Sequence, residues 1–120
     1  MEIVSRKDSK LLGRSELRVL FAEKSGAINR KEAIKEVARA VNTVEGKVTL
    51  VKLSPEAGSR NLVGLFHVYD SEEARKEIAH HYLSTRLLTK EEKEALKAAK
   101  KKADAAAAAS AAAAAPAKKK

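Results

Sequence analysis

The sequence predicts an α+β fold: a β-β-α-β-β-α domain with a four-stranded antiparallel sheet, extended at its C-terminus by a helix. Three observations carry this prediction. Two pairs of β-rich segments, 2–8 with 15–22 and 48–53 with 61–69, are each joined by a turn-bearing connection that contains glycine. One amphipathic helical stretch lies between the pairs. Beyond residue 88, Ala and Lys replace the apolar mixture from which cores are built.

The first strand, 2–8, is marked only by Ile3 and Val4 in a polar run. Lys10-Leu11-Leu12-Gly13-Arg14 forms the turn, with Gly13 free to take a positive φ. In 15–22, Leu17, Val19 and Phe21 alternate with Arg18, Leu20 and Ala22, the pattern of a half-buried strand. Ser25-Gly26 ends it. Asn29, with Glu32 three residues on, forms a capping box that opens a helix. Ile28 and Ala33 supply a weak staple across that start. Ile34, Val37, Ala38 and Val41 then share one face, and Asn42 closes the helix.

Val48 to Leu53 is β-rich and predicts the third strand. The polar turn Ser54–Arg60 leads into the fourth, 61–69, where Gly64 signals a bulge or a close backbone approach. Asp70 or Ser71 caps a helix over about 71–81, with Ala74 and Ile78 facing inward. Thr89 and Glu92 make a second capping box, from which a helix runs towards Pro116. If helical, residues 90–115 extend about 39 Å at 1.5 Å per residue. The crossover through the first helix places the fourth strand between the second and third, giving the order 1-2-4-3 with helix 29–42 on one face. The chain divides into a domain at 1–88 and a tail at 89–120.

The 120 residues carry a formal net charge of +9. Residues 1–88 hold 16 Lys+Arg against 12 Asp+Glu, and residues 89–120 hold 9 against 4. A basic chain of this kind favours polyanionic partners, nucleic acid first. The absence of cysteine excludes disulfides and thiolate metal sites and fits an intracellular protein. No apolar run approaches the ~20 residues of a membrane span, and Met1-Glu2-Ile3-Val4 has no signal-peptide character.

Catalysis is not expected. His80 and His81 are adjacent and diverge on a helix, and His67 has no partner at metal-ligand spacing. Glu72-Glu73 and Glu91-Glu92 sit in first helical turns, where they complement the dipole. No phosphate-binding loop or Ser/His/Asp constellation is present. Neither a cofactor, a metal nor a small-molecule substrate is expected. Stacking of bases across the sheet is not expected either, since Phe21, Phe66, Tyr69 and Tyr82 are the only aromatic residues and Phe66 and Tyr69 fall on opposite faces of one strand.

Backbone recognition of a nucleic acid remains, and charge alone does not separate RNA from DNA. Its candidates gather in connections, where contacts are commonly placed on a rigid scaffold. They are Lys7, Lys10 and Arg14 in the first hairpin, Arg30 and Lys31 at the helix start, and Arg60 and Asn61 in the second hairpin turn. His80, His81 and Arg86 follow the last core helix. The tail adds Lys97, Lys100, Lys101 and Lys102, then Lys118, Lys119 and Lys120.

Ala57-Gly58-Ser59-Arg60-Asn61-Leu62-Val63-Gly64, ending in Val68-Tyr69-Asp70-Ser71, resembles the signature of the small-subunit ribosomal protein family numbered 24 of archaea and eukaryotes. Leu11-Leu12-Gly13-Arg14, Asn29-Arg30-Lys31-Glu32 and Arg75-Lys76-Glu77-Ile78 stand where that family has similar residues, so the resemblance covers about 2–88. Asn61 stands where the family commonly has a basic residue, and His80-His81 where it often has Pro-Lys. The resemblance implies a structural constituent of the cytoplasmic small ribosomal subunit, bound to its RNA and to neighbouring ribosomal proteins. The compact length implies an archaeal member. Two alternatives come from other classes: a chromatin-like DNA-binding protein, and a protein–protein adaptor that uses the long C-terminal helix.

Overall fold

Alternating apolar side chains make one face of a strand adhesive, and a matching helical stripe covers it. The computed structural model, which describes residues 1–114, is built this way. Strands β1 (Glu2–Ser9), β2 (Arg14–Phe21), β3 (Val48–Pro55) and β4 (Leu62–Tyr69) form one antiparallel sheet in the order β1-β2-β4-β3. Helix α1 (Arg30–Val41) connects β2 to β3. Helices α2 (Glu72–Ile78), α3 (His81–Thr85) and α4 (Lys90–Ala114) follow. The predicted strand order and α+β class are both present. The chain separates into two compact units between Leu87 and Leu88.

In the first unit, Leu17, Val19 and Phe21 of β2 and Leu62, Phe66 and Val68 of β4 are buried together with Ala33, Ile34, Val37 and Ala38 of α1. The staple residue Ile28 and the helix-end residue Val41 pack against this core. The capping box is formed: Glu32 Oε2 accepts the Asn29 N–H at 3.0 Å. Asn42 ends α1 in the left-handed conformation at φ 53°, a position asparagine tolerates better than most residues. Gly13 takes φ 52° in the β1–β2 turn, after a 3-10 turn at Lys10–Leu12.

Gly64 resolves as a close approach rather than a bulge. It pairs with Val19 on one side and Leu53 on the other. A Cβ there would run into the ring of Phe66 and press on that of Phe21. The two rings meet edge to face, with centroids 6.2 Å apart and planes at 63°. The sheet's irregularities lie elsewhere, between Ile3 and Ser5 in β1 and between Leu50 and Lys52 in β3.

The helix predicted over 71–81 is shorter and followed by another. Ser71 Oγ accepts the Ala74 N–H at 3.1 Å and caps α2. Ala79 is extended and His80 also leaves the helical conformation, at φ −59° and ψ 128°, so α2 stops at Ile78 and the chain re-enters a helix at His81. The break lets Leu83, at 5% exposure, reach the core side. It also lets Arg75 span three segments. Its Nη1 donates to the Gly46 carbonyl at 2.8 Å, its Nε to Thr49 Oγ1 at 3.1 Å and its Nη2 to Ser84 Oγ at 3.3 Å.

Thr89 and Glu92 close the capping box of α4, the Thr89 N–H reaching Glu92 Oε2 at 2.7 Å. Among the described residues, no helix is long and apolar enough to cross a membrane.

Two substitutions test these packing assignments. Gly64→Ala should cost about 1–3 kcal/mol by overpacking against Phe66 and Phe21, read from the urea midpoint at unchanged slope. Arg75→Met should cost about 2 kcal/mol, because it leaves the Gly46 carbonyl and the buried Thr49 hydroxyl without their donor. An unchanged midpoint in either variant refutes the corresponding contact.

Candidate functional site

The positions expected to bind separate into groups once folded. Lys10 is exposed in the first hairpin turn, and Lys7 is exposed on β1 opposite Glu16. Arg14 is turned inward. Its Nη2 donates to Glu16 Oε1 at 2.9 Å, its side chain is 19% exposed, and its Nε is buried without a protein acceptor. Glu16 also lies 3.7 Å from His67 Nε2. Arg14, Glu16 and His67 thus form a small polar cluster on the sheet face away from α1. Burial lowers the pKa of His67 below its usual 6.5, the charge of Arg14 lowers it further, and Glu16 opposes both.

At the opposite end of the sheet, Arg60 is exposed in the β3–β4 turn, and its carbonyl accepts the Ser25 N–H at 3.0 Å. Asn61 is occupied within that end. Its Oδ1 accepts the Glu23 N–H at 3.3 Å and its Nδ2 donates to Glu56 at 3.4 Å. Asn61 therefore ties the turn to the segment after β2.

One set converges. Arg30 and Lys31 occupy the first turn of α1, where the capping box fixes the direction in which they leave the backbone. Lys35 follows one turn later on the same side. Arg86, just after α3, completes a hollow of about 480 Å³ lined by Asn29, Arg30, Lys31, Glu32, Lys35, Arg86 and Leu87. Four cations face it against one carboxylate, and Glu32 spends an oxygen on its own helix cap. A smaller hollow between β3 and α3 is also lined by Arg30 and Arg86.

Beside this groove, His80 stacks on Tyr82, with centroids 5.7 Å apart and planes at 20°. The Arg86 guanidinium lies over the Tyr82 ring, 4.7 Å from its centroid. His81 is exposed and begins α3.

Sequence reasoning missed Lys35 and Tyr82. The Lys31–Lys35 and Tyr82–Arg86 spacings of four residues were the available signal, but the second acquires meaning only once α3 is known to exist. Lys97, Lys100, Lys101 and Lys102 are exposed on α4. At 3.6 residues per turn, Lys90, Lys93, Lys97, Lys100 and Lys101 fall within an arc of about 100°, with Lys102 outside it. Lys118, Lys119 and Lys120, with Pro116, lie outside the described residues.

Among the described residues, no group of three His, Asp or Glu side chains is placed to hold a metal ion. The fold and its convergent groove define a small α+β protein that presents clustered cations on a rigid scaffold. Residues 1–88 match the model of the family described as ribosomal protein S24e. The chain belongs to that family. It is also 34% identical over 85 residues to the small ribosomal subunit protein eS24 of Methanosphaerula palustris, a match covering 71% of this chain and 87% of that one. The family match ends one residue past the boundary between the two compact units, so α4 lies beyond it.

The His67 cluster predicts a pH effect. The native state holds His67 neutral below pH 6.5, where the unfolded chain already binds a proton. Its contribution to stability should fall as pH drops through 6.5 and level off below the depressed folded pKa. His67→Gln should flatten that part of the stability–pH curve measured by urea unfolding between pH 5 and 8. Parallel curves for the two proteins would remove His67 as the cause.

Proposed function

We propose that this chain is a structural constituent of the small ribosomal subunit in the cytoplasm and binds the subunit's RNA through its clustered cations. The family supplies the coarser statement, a ribosomal structural protein. The observation that supports RNA contact is the groove of Arg30, Lys31, Lys35 and Arg86, which brings four cations from two separate elements together around one hollow.

Phosphates bound there would release condensed counterions, the main source of salt-dependent affinity for nucleic acid. The hairpin residues Lys7 and Lys10, and Arg60 at the other end, extend the footprint to both ends of the sheet. Arg14 and Asn61 act in this proposal by shaping the two ends, since their side chains already have protein partners. His80 stacks on Tyr82, which contacts Arg86 of the groove, and His81 is an exposed contact at the start of α3. Lys97, Lys100 and Lys101, with Lys90 and Lys93, give α4 its own basic face, and Lys102 beside it and Lys118, Lys119 and Lys120 add charge. Neighbouring ribosomal proteins share the RNA bed. No small molecule or membrane enters this function.

The decisive experiment is competitive incorporation into small ribosomal subunits. Arg30→Ala combined with Lys31→Ala should leave the thermal melt unchanged and reduce incorporation against the unaltered chain. Full incorporation removes the groove from the binding surface. Co-purification of genomic DNA or of a protein in place of ribosomal RNA at moderate salt defeats the functional proposal itself.

Removing residues 97–120 should weaken binding to small-subunit RNA and flatten the plot of log affinity against log salt. Each lost phosphate contact removes roughly 0.7–0.9 from the slope. An unchanged slope shows that the tail makes no phosphate contact.

A further inference from the structure

An exposed aromatic side chain that the core does not need is worth explaining when it is held in a fixed orientation. Tyr82 is 49% exposed, whereas its neighbour Leu83, at 5%, makes the inward anchor of α3. The Tyr82 hydroxyl has no hydrogen-bond partner among the described residues. Yet the ring is held by His80 at one point and by the Arg86 guanidinium at another. The His80–Tyr82 centroid separation of 5.7 Å with near-parallel planes means the rings are offset, so neither covers the other completely.

We infer that the His80–Tyr82–Arg86 stack is a platform for one unpaired nucleobase, continuous with the phosphate groove. This rests on the RNA-binding function proposed above and adds to it a mode of recognition. The chemistry matches a nucleotide in two respects at once. A base offers a flat π-face to the exposed part of Tyr82, which Arg86 already orders by a cation–π contact. The attached phosphate then meets Arg86 and Arg30, which line the same hollow between β3 and α3. An acidic peptide would use the cations and leave the aromatic face unmatched. A paired duplex would present phosphates but keep its bases inside. RNA-binding surfaces commonly take unpaired bases on aromatic rings or guanidinium planes.

The chain itself supplies the probe. It contains two tyrosines and no tryptophan, and Tyr69 is 2% exposed. Quenching of tyrosine emission on base stacking therefore reports Tyr82. Two RNA hairpins differing only in a single unpaired adenine are titrated with the full chain at low salt, following labelled-RNA anisotropy and tyrosine emission together.

The bulged hairpin should bind about 10-fold more tightly than the paired one, in line with the known worth of one base–aromatic stack, and it should quench emission. Tyr82→Leu should bind both hairpins alike with an unchanged melt. Tyr82→Phe should keep the preference while losing the emission change. Arg30→Ala with Lys31→Ala should weaken both hairpins and keep their ratio.

Equal binding of the two hairpins without quenching overturns the base platform and leaves the phosphate groove standing. So does an equal loss on both hairpins in Tyr82→Leu, which would mean that Tyr82 only positions Arg86. Displacement of the bulged hairpin by poly-glutamate as effectively as by unlabelled hairpin also overturns it, in favour of an acidic protein partner. Failure of both hairpins to bind defeats the platform and the RNA-binding function together.

Discussion

The seating of α1 on the β2–β4 pair is the constraint on which the rest of the first unit depends. Ala33, Val37 and Ala38 are small enough for the helix to come close to the sheet, and each is essentially without exposure. Beneath them, the missing Cβ of Gly64 makes the space that the Phe66 and Phe21 rings fill. Each large side chain so buried contributes roughly 1.5–3 kcal/mol. The geometry also sets function. With the helix seated and its start fixed by the Asn29–Glu32 cap, the backbone positions of Arg30, Lys31 and Lys35 are set on the side where Arg86 arrives.

Arg75, with the buried Leu83, holds α3 and so places Arg86 there. Its planar fork joins the Gly46 turn, β3 and α3 by three hydrogen bonds. Lysine, a single rotatable point charge, cannot reproduce that arrangement. The clamp lies on α2, a helix of seven residues that buries none of its side chains fully. A short, poorly anchored helix is thus kept in place by a polar contact rather than by apolar area. Through it, α3 acquires a definite position, and Tyr82 with it.

Much of this was legible in the sequence. The alternation at Leu17, Val19 and Phe21, the α1 stripe and both capping boxes each predict one feature by a local rule. The strand order followed from the hairpins and the crossover. The break at Ala79-His80 was not legible, because nothing in the local pattern opposes a continuous helix. It follows from the tertiary gains of burying Leu83 and meeting Arg75 with Ser84. The site was legible as a set of cations but not as a geometry. Sequence position placed Arg14 and Asn61 among free contacts, whereas β-register brings Glu16 beside one and the turn brings Glu23 and Glu56 to the other. Arg30 and Arg86, 56 positions apart, could be joined only by the fold.

The two borders of the sheet are treated differently. β3 is packed against α3 and α1. β1 pairs only with β2, is exposed from Glu2 to Asp8, and shows Ile3 and Val4 at 47% and 59% exposure. Such a border is a template for adding a strand from another copy. Here the register slips next to Val4, and Arg6, Lys7 and Asp8 follow immediately. The irregularity bends the apolar end out of alignment, and the charges penalise in-register stacking of identical chains. The exposed border therefore carries its own guard against fibrous self-association, in the same residues that leave it unpaired.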